Sequence, residues 1–213
     1  MIRFSNFQYI TNPTLSETEQ VKQVCEGGGR WIQLRLKDKT EDEIIELGQA
    51  VAAICKQYNA TFILNDYPHL VKKIGANGVH LGKNDMPPSE ARELLGAEYI
   101  IGGTANTFED IQSLHQQKVD YIGLGPFRFT STKKNLSPIV GLEGYRTIMN
   151  QCKTHHINIP TVAIGGIDTA DVTDIMTTGV QGIAISSAVT GKANPIEATQ
   201  CLITQITNSY EQA

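Results

Sequence analysis

Residues 31–66 read WIQLRLKDKTEDEIIELGQAVAAICKQYNATFILND, and this stretch decides the fold. Trp31 to Leu34 is a short run of large apolar residues, and Thr61 to Leu64 is another. Between them, residues 42–54 place apolar side chains three and four positions apart, the repeat of one helix face. Strand, helix and strand in strict succession imply two parallel strands with the helix as the crossover.

The same unit recurs in both directions along the chain. Apolar or β-branched runs stand at Phe7 to Ile10, Gly78 to Leu81, Tyr99 to Ile101, Tyr121 to Leu124, Thr161 to Ile164 and Gly182 to Ile185, which makes eight expected strands. Ser16, Ser89, Thr107 and Thr169 stand where helix caps are needed between them. Eight units of about 25 residues suit a closed (β/α)8 or TIM barrel, expected as a single domain over residues 1–213. An open, doubly wound α/β sheet is the alternative, because alternation alone does not establish closure.

With 213 residues, 40% of them hydrophobic, the chain can bury one sizeable core. A formal net charge of -4 excludes the dominant basic surface that nucleic acid or an anionic membrane requires. An anionic ligand must therefore meet a local cationic cluster. Cys25, Cys55, Cys152 and Cys201 show neither metal-ligand spacing nor a disulfide framework. Residues 1–6 lack the apolar core of a secretory signal and no stretch has the length of a membrane span, so a cytoplasmic location without a membrane partner is expected.

In a barrel of this kind chemistry sits at the carboxyl ends of the strands. After strand 2, alternation sends Gln33, Arg35 and Lys37 to one face and Leu34 and Leu36 to the other. Strand 3 ends in Asn65-Asp66 and strand 4 in Gly82-Lys83-Asn84-Asp85, so two carboxylates reach one volume above neighbouring strands. Hard oxygen donors in small number, with room for water and phosphate oxygens, describe a magnesium site (Mg2+) better than a zinc or calcium one. Residues 125–141, after strand 6, are far too long for an ordinary βα loop and read as a lid or binding loop, with Thr130, Thr132 and Lys133 suited to phosphate and Gly125 and Gly141 as hinges. Gly165-Gly166 and Ser186-Ser187 end strands 7 and 8, where this fold often builds a phosphate cup.

Taken in order, Gln33-x-Arg35-x-Lys37, Asn65-Asp66, Gly78 to Gly82 with Asp85, Gly125-Pro126 through Lys133, Ala163 to Ile167 and Ser186-Ser187-Ala188 resemble the thiamine phosphate synthase family over nearly the whole chain. The resemblance implies a transferase that joins hydroxymethylpyrimidine pyrophosphate to thiazole phosphate, releasing pyrophosphate in a dissociative substitution. It implies that Gln33, Arg35, Lys37, Asn65 and Lys133 hold the pyrophosphate, with Arg35, Lys37 and Lys133 stabilising the leaving group, and that Asp66 and Asp85 bind magnesium. Thr104, where the family commonly has serine, would contact the pyrimidine side or the leaving group. Thr130, Thr132, Gly166, Ser186 and Ser187 would hold the thiazole phosphate.

No strong general base is needed for that chemistry, and a structural or surface role is expected for His69, His80, His115, His155 and His156. The chain departs from many relatives at Lys83, where they carry glutamine, and at Asn106, where they carry histidine. It also begins almost at strand 1, without the N-terminal helix of many relatives, which bears on the contacts of a homo-oligomer rather than on chemistry. A thiazole tautomerase shares the barrel and cup but looks to rest on the histidine that is Asn106 here. A non-catalytic phosphate-binding barrel would not need Asp66, Asp85, Lys37 and Lys133 together, and a lyase or aldolase barrel would need a lysine or acid of shifted pKa on a strand.

Overall fold

In the computed structural model, residues 5–13, 15–129 and 138–211 are described. Eight parallel strands, β1 (Phe7–Ile10), β2 (Trp31–Leu34), β3 (Thr61–Asn65), β4 (Gly78–Leu81), β5 (Ile100–Ala105), β6 (Tyr121–Leu124), β7 (Thr161–Ile164) and β8 (Gly182–Ile185), pair in sequence order. β1 also pairs with β8, so the barrel is closed and the open-sheet alternative falls away.

Around the strands run α1 (Glu17–Glu26), α2 (Glu41–Gln57), α3 (Val71–Ile74), α4 (Pro88–Leu95), α5 (Phe108–Gln116), α6 (Gly141–Thr154), α7 (Val172–Met176), α8 (Ser187–Thr190) and α9 (Pro195–Glu211). No described helix is long and apolar enough to cross a membrane. Cys25, Cys55 and Cys152 are buried free thiols and Cys201 is an exposed one.

Period-two alternation divides the apolar residues into two bodies. Ile10, Trp31, Ile63, Ile100, Tyr121, Val162 and Ala184 point inward and fill the barrel as one cluster. Their sequence neighbours, such as Tyr9, Ile32, Leu64, Ile101 and Ile122, point outward and pack with the helices in the other.

The expected fifth strand was too short. β5 continues through Gly102-Gly103-Thr104-Ala105, where two glycines hide a strand from any reading by apolar residues. Both are needed for packing: a Cβ at Gly102 would lie 2.2 Å from Tyr121 Cζ inside the barrel, and one at Gly103 would lie 2.5 Å from Leu114 Cδ2 on the helix side.

Among the expected caps, Thr107 accepts from the Asp110 amide in a capping box at the start of α5. Ser16 stands at the N-cap of α1 without a side-chain cap bond. Ser89 falls inside α4, whose N-cap is Pro87, because Pro88 starts that helix. Thr169 opens a 3-10 turn capped by Asp168. A box not foreseen, Thr40 with Glu43, starts α2.

Replacing Gly102 by alanine should destabilise the protein by about 1–3 kcal/mol through overpacking against Tyr121. A urea midpoint unchanged from that of the unaltered protein would show that the ring yields freely.

Candidate active site

Arg35 owes its place to Thr11. The Thr11 hydroxyl accepts from the Arg35 amide at 2.9 Å and donates to the Arg35 carbonyl at 3.3 Å, tying the end of β1 to the extension of β2. Leu36 turns into the helix-side core, so Arg35 and Lys37 stand above the barrel, Arg35 partly buried and Lys37 exposed. Gln33 lies below them at 2% exposure. Its amide nitrogen forms no hydrogen bond, although the amide is close enough to Tyr121 to act on that hydroxyl.

At the end of β3, Asn65 is buried and Asp66 adopts a left-handed backbone with φ 74°. The Asp66 amide still donates to the His80 carbonyl at 3.0 Å, which holds its carboxylate at the head of β4. Asp85 Oδ2 accepts from the Gly82 amide at 2.6 Å and closes the next turn. Lys83, one of the departures from the family pattern, pairs with Asp110 at 2.6 Å and so binds this turn to the start of α5. Asp110 also accepts from the amides of Asn106 and Thr107 at 2.8 and 3.0 Å.

The connection after β6 is anchored at both feet. The Phe127 and Arg128 amides donate to the Ile164 and Gly165 carbonyls at 2.9 and 3.1 Å, prolonging the pairing of β6 with β7. Returning, the Val140 and Gly141 amides donate to the Pro126 and Phe127 carbonyls at 2.8 and 3.2 Å. Arg128 reaches across with two 2.7 Å bonds to the Asp171 carboxylate and one of 3.0 Å to the Gly166 carbonyl. Thr130, Thr132 and Lys133 lie outside the described residues.

Gly165 and Gly166 both have positive φ, 96° and 72°. A side chain at Gly165 would meet Pro126 at 2.8 Å, so glycine there permits the close approach of β7 to the start of the connection. Across from them, Asn12 Nδ2 donates to Ser186 Oγ at 3.1 Å and to Thr190 Oγ1 at 2.7 Å. With its oxygen occupied as an acceptor, the Ser186 hydroxyl is left as a donor.

A cavity of about 590 Å³ opens at this rim. It brings together Arg35, Thr104, Gly166, Ser186 and Ser187 of the expected site residues. Gln33, Lys37, Asn65, Asp66 and Asp85 are not in its lining: two are buried beneath it, and the other three stand at the ends of β2, β3 and β4 beside it. Asn12, Arg128 and Lys192 also line the cavity and were not foreseen as site residues. Asn12 was within reach of the strand-end rule, since it follows the end of β1 by two positions. Lys192 carries no such signal.

Arg35, Lys37, Asp66 and Asp85 stand over β2 to β4, whereas hydroxyls and glycines stand over β7 and β8, with Arg128, Asp168 and Lys192 lining the cavity beside them. Among the described residues no three carboxylate, imidazole or thiol groups come together as a metal cage.

The family model described as thiamine monophosphate synthase matches residues 7–189. The chain belongs to the thiamine monophosphate synthase family. A thiamine-phosphate synthase of Phocaeicola vulgatus is 51% identical over 195 residues, covering 91% of this chain and 94% of that relative. One from Pyrococcus horikoshii is 38% identical, covering 87% of this chain and 86% of that relative. Among solved structures, a thiamine phosphate pyrophosphorylase from Pyrococcus furiosus superposes with a TM-score of 0.86 at 32% identity, covering 96% of each chain. Membership of the thiamine monophosphate synthase family makes the chain a transferase with a TIM barrel, in agreement with the order of motifs along the strands.

Asn12→Asp puts a negative charge beside Ser186 Oγ, which Asn12 Nδ2 reaches at 3.1 Å. Affinity for inorganic phosphate, read by titration calorimetry, should fall about tenfold or more, equivalent to about 1.4 kcal/mol. Undiminished affinity would place the phosphate elsewhere.

Proposed function

We propose that the chain joins hydroxymethylpyrimidine pyrophosphate to thiazole phosphate, forming thiamine phosphate and free pyrophosphate in the cytoplasm. What supports this reading is one rim that carries Arg35, Lys37, Asp66 and Asp85 over β2 to β4 and Gly166, Ser186 and Ser187 over β7 and β8. A substrate that must lose pyrophosphate needs the first group, and a phosphate that stays attached to its ring suits the second.

In this reading Gln33, Arg35, Lys37, Asn65 and Lys133 hold the pyrophosphate, Gln33 from a buried position with an amide nitrogen that lacks a hydrogen bond. The bond between the pyrimidine methylene carbon and the pyrophosphate oxygen breaks with its electron pair going to the oxygen. Arg35, Lys37 and Lys133 stabilise the charge that grows there. The ring-conjugated methylene cation is then trapped by the lone pair of the thiazole nitrogen, which is held in place through its phosphate by Thr130, Thr132, Gly166, Ser186 and Ser187. Proximity does the rest, because a short-lived cation must meet its nucleophile before water does.

Asp66 and Asp85 fit magnesium. Two carboxylates at the ends of neighbouring strands, with no third acidic, imidazole or thiol ligand gathered there among the described residues, suit an ion that keeps water and takes phosphate oxygens. When bound, magnesium would supply positive charge to the leaving pyrophosphate. No residue is asked to remove a proton. Asn106, the position on which a tautomerase would depend, donates its amide to the Gly125 carbonyl and has no proton to shuttle.

Purified protein supplied with magnesium and both phosphorylated halves should yield thiamine phosphate and pyrophosphate in equal amounts, and no product at high enzyme would overturn the reading. Asp85→Asn preserves the shape that accepts the Gly82 amide but removes charge. Turnover should drop by about 100-fold or more at fixed magnesium; unchanged turnover would remove Asp85 from the metal site.

A further inference from the structure

Beneath the cavity, a line of three polar side chains with no assigned role in the reaction, Gln8, Tyr121 and His80, ends on Thr104, the residue expected to contact the pyrimidine side or the leaving group. Gln8 Nε2 donates to the Tyr121 hydroxyl at 3.3 Å. That hydroxyl lies 3.0 Å from His80 Nδ1, and His80 Nε2 lies 2.9 Å from Thr104 Oγ1. Gln8, Tyr121 and His80 are 1%, 0% and 6% exposed, whereas Thr104 borders the cavity.

The packing makes room for this line. His80 on β4 and Tyr121 on β6 are separated by β5, and Gly102 is the β5 residue in register with both. Having no side chain, it lets the two rings approach to 5.4 Å between centroids across the strand. Gly123, in register with Thr104, clears the other edge, since a Cβ there would stand 3.2 Å from His80 Cε1.

The direction of the line is read from the end that has no choice. An amide nitrogen only donates, so the Tyr121 oxygen accepts from Gln8, and the Gln33 amide acts on the same oxygen in the same sense. Burial raises the Tyr121 phenol well above its ordinary range, so it keeps its own proton, and His80 Nδ1 is placed to accept it. A neutral imidazole accepting at Nδ1 carries its proton on Nε2. That proton is donated to Thr104 Oγ1, which leaves the threonine hydroxyl proton for a ligand.

We infer that His80 and Tyr121 are positioning residues that fix the Thr104 hydroxyl as a donor into the cavity, directed at an oxygen of the departing pyrophosphate. The inference rests on the condensation proposed above. In that step electrons move onto the pyrophosphate oxygen, and a donor aimed there beforehand stabilises them without reorganising. The opposite polarity would present a threonine lone pair to growing negative charge. A donor aimed at the pyrimidine ring would oppose the electron release that sustains the methylene cation. The orientation of the imidazole proton therefore sets the sign of what Thr104 contributes.

Two measurements test this on the intact protein. Nitrogen-15 spectra of histidine-labelled protein, with the His80 signals identified by their loss in His80→Gln, should show the proton on Nε2; a proton on Nδ1 overturns the inference, whatever the activity. In single turnover, Tyr121→Phe and Thr104→Ala should each slow pyrophosphate release about tenfold or more, without raising KM for the thiazole phosphate. The double variant should be no slower than Thr104→Ala alone, because one residue acts through the other. His80→Gln, which keeps an N–H donor, should retain more of the rate than His80→Leu. Additive losses, or a KM for thiazole phosphate that rises as much as the rate falls, would mean that the line only supports the barrel. If the unaltered protein forms no thiamine phosphate, the reaction assignment fails, and the tautomer measurement still reports on the hydrogen-bond line by itself.

Discussion

Closing eight parallel strands on themselves turns every second side chain toward a single axis, where each must be packed and each polar group must find a partner away from water. In this protein the contact that meets both demands is His80 against Tyr121, made across a strand that contributes only Gly102 between them. Below it the barrel is filled by Trp31, whose ring meets Tyr121 edge-on at 4.8 Å, and by aliphatic residues. Above it the barrel opens into the cavity, where Arg35 and Thr104 stand among Ile10, Ile164 and Ala184. Tyr121 therefore belongs to both regions: its ring packs in the apolar cluster and its hydroxyl joins the polar line.

From that boundary the rim is assembled by hydrogen bonds to the backbone rather than by side-chain packing. Thr11 holds Arg35, the His80 carbonyl holds Asp66, Gly82 holds Asp85, and Ile164 and Gly165 hold the start of the connection after β6. Each tie extends a strand pairing or closes a turn just past the end of a strand. Placement of charge is thus inherited from the barrel itself, which suits the condensation proposed above, where a cation and its nucleophile must meet at fixed distance.

Much of this was legible in the sequence. The period of two in the runs at β2, β3 and β4 separates inward from outward residues, and it placed Gln33 and Arg35 on the barrel face and Leu36 in the helix-side core. The length of β5 was not legible, because Gly102 and Gly103 take their value from Tyr121 and Leu114, which belong to other elements. Asn12, two positions past the end of β1, was within reach of the strand-end rule; its contact with Ser186 was not, because β8 ends beside β1 only in the closed barrel. His80 was read as a structural residue in an apolar strand; it is buried there, and its link to Thr104 depends on the glycine between β4 and β6.

The pair between Arg128 and Asp171 illustrates how little energy such placement requires. The Arg128 side chain is 48% exposed, so the bidentate bond contributes at most about 1 kcal/mol after solvent screening. Its geometry is more consequential than its strength. One guanidinium ties the first foot of the long connection to the Gly166 carbonyl and to the turn before α7, while its face lies 4.7 Å over Phe127. Phe127 in turn stacks on Tyr145, whose hydroxyl donates to the Leu124 carbonyl at the end of β6. Gly166 and the root of the long connection are therefore held by one chain of contacts, so a residue that moves one of them must move the other.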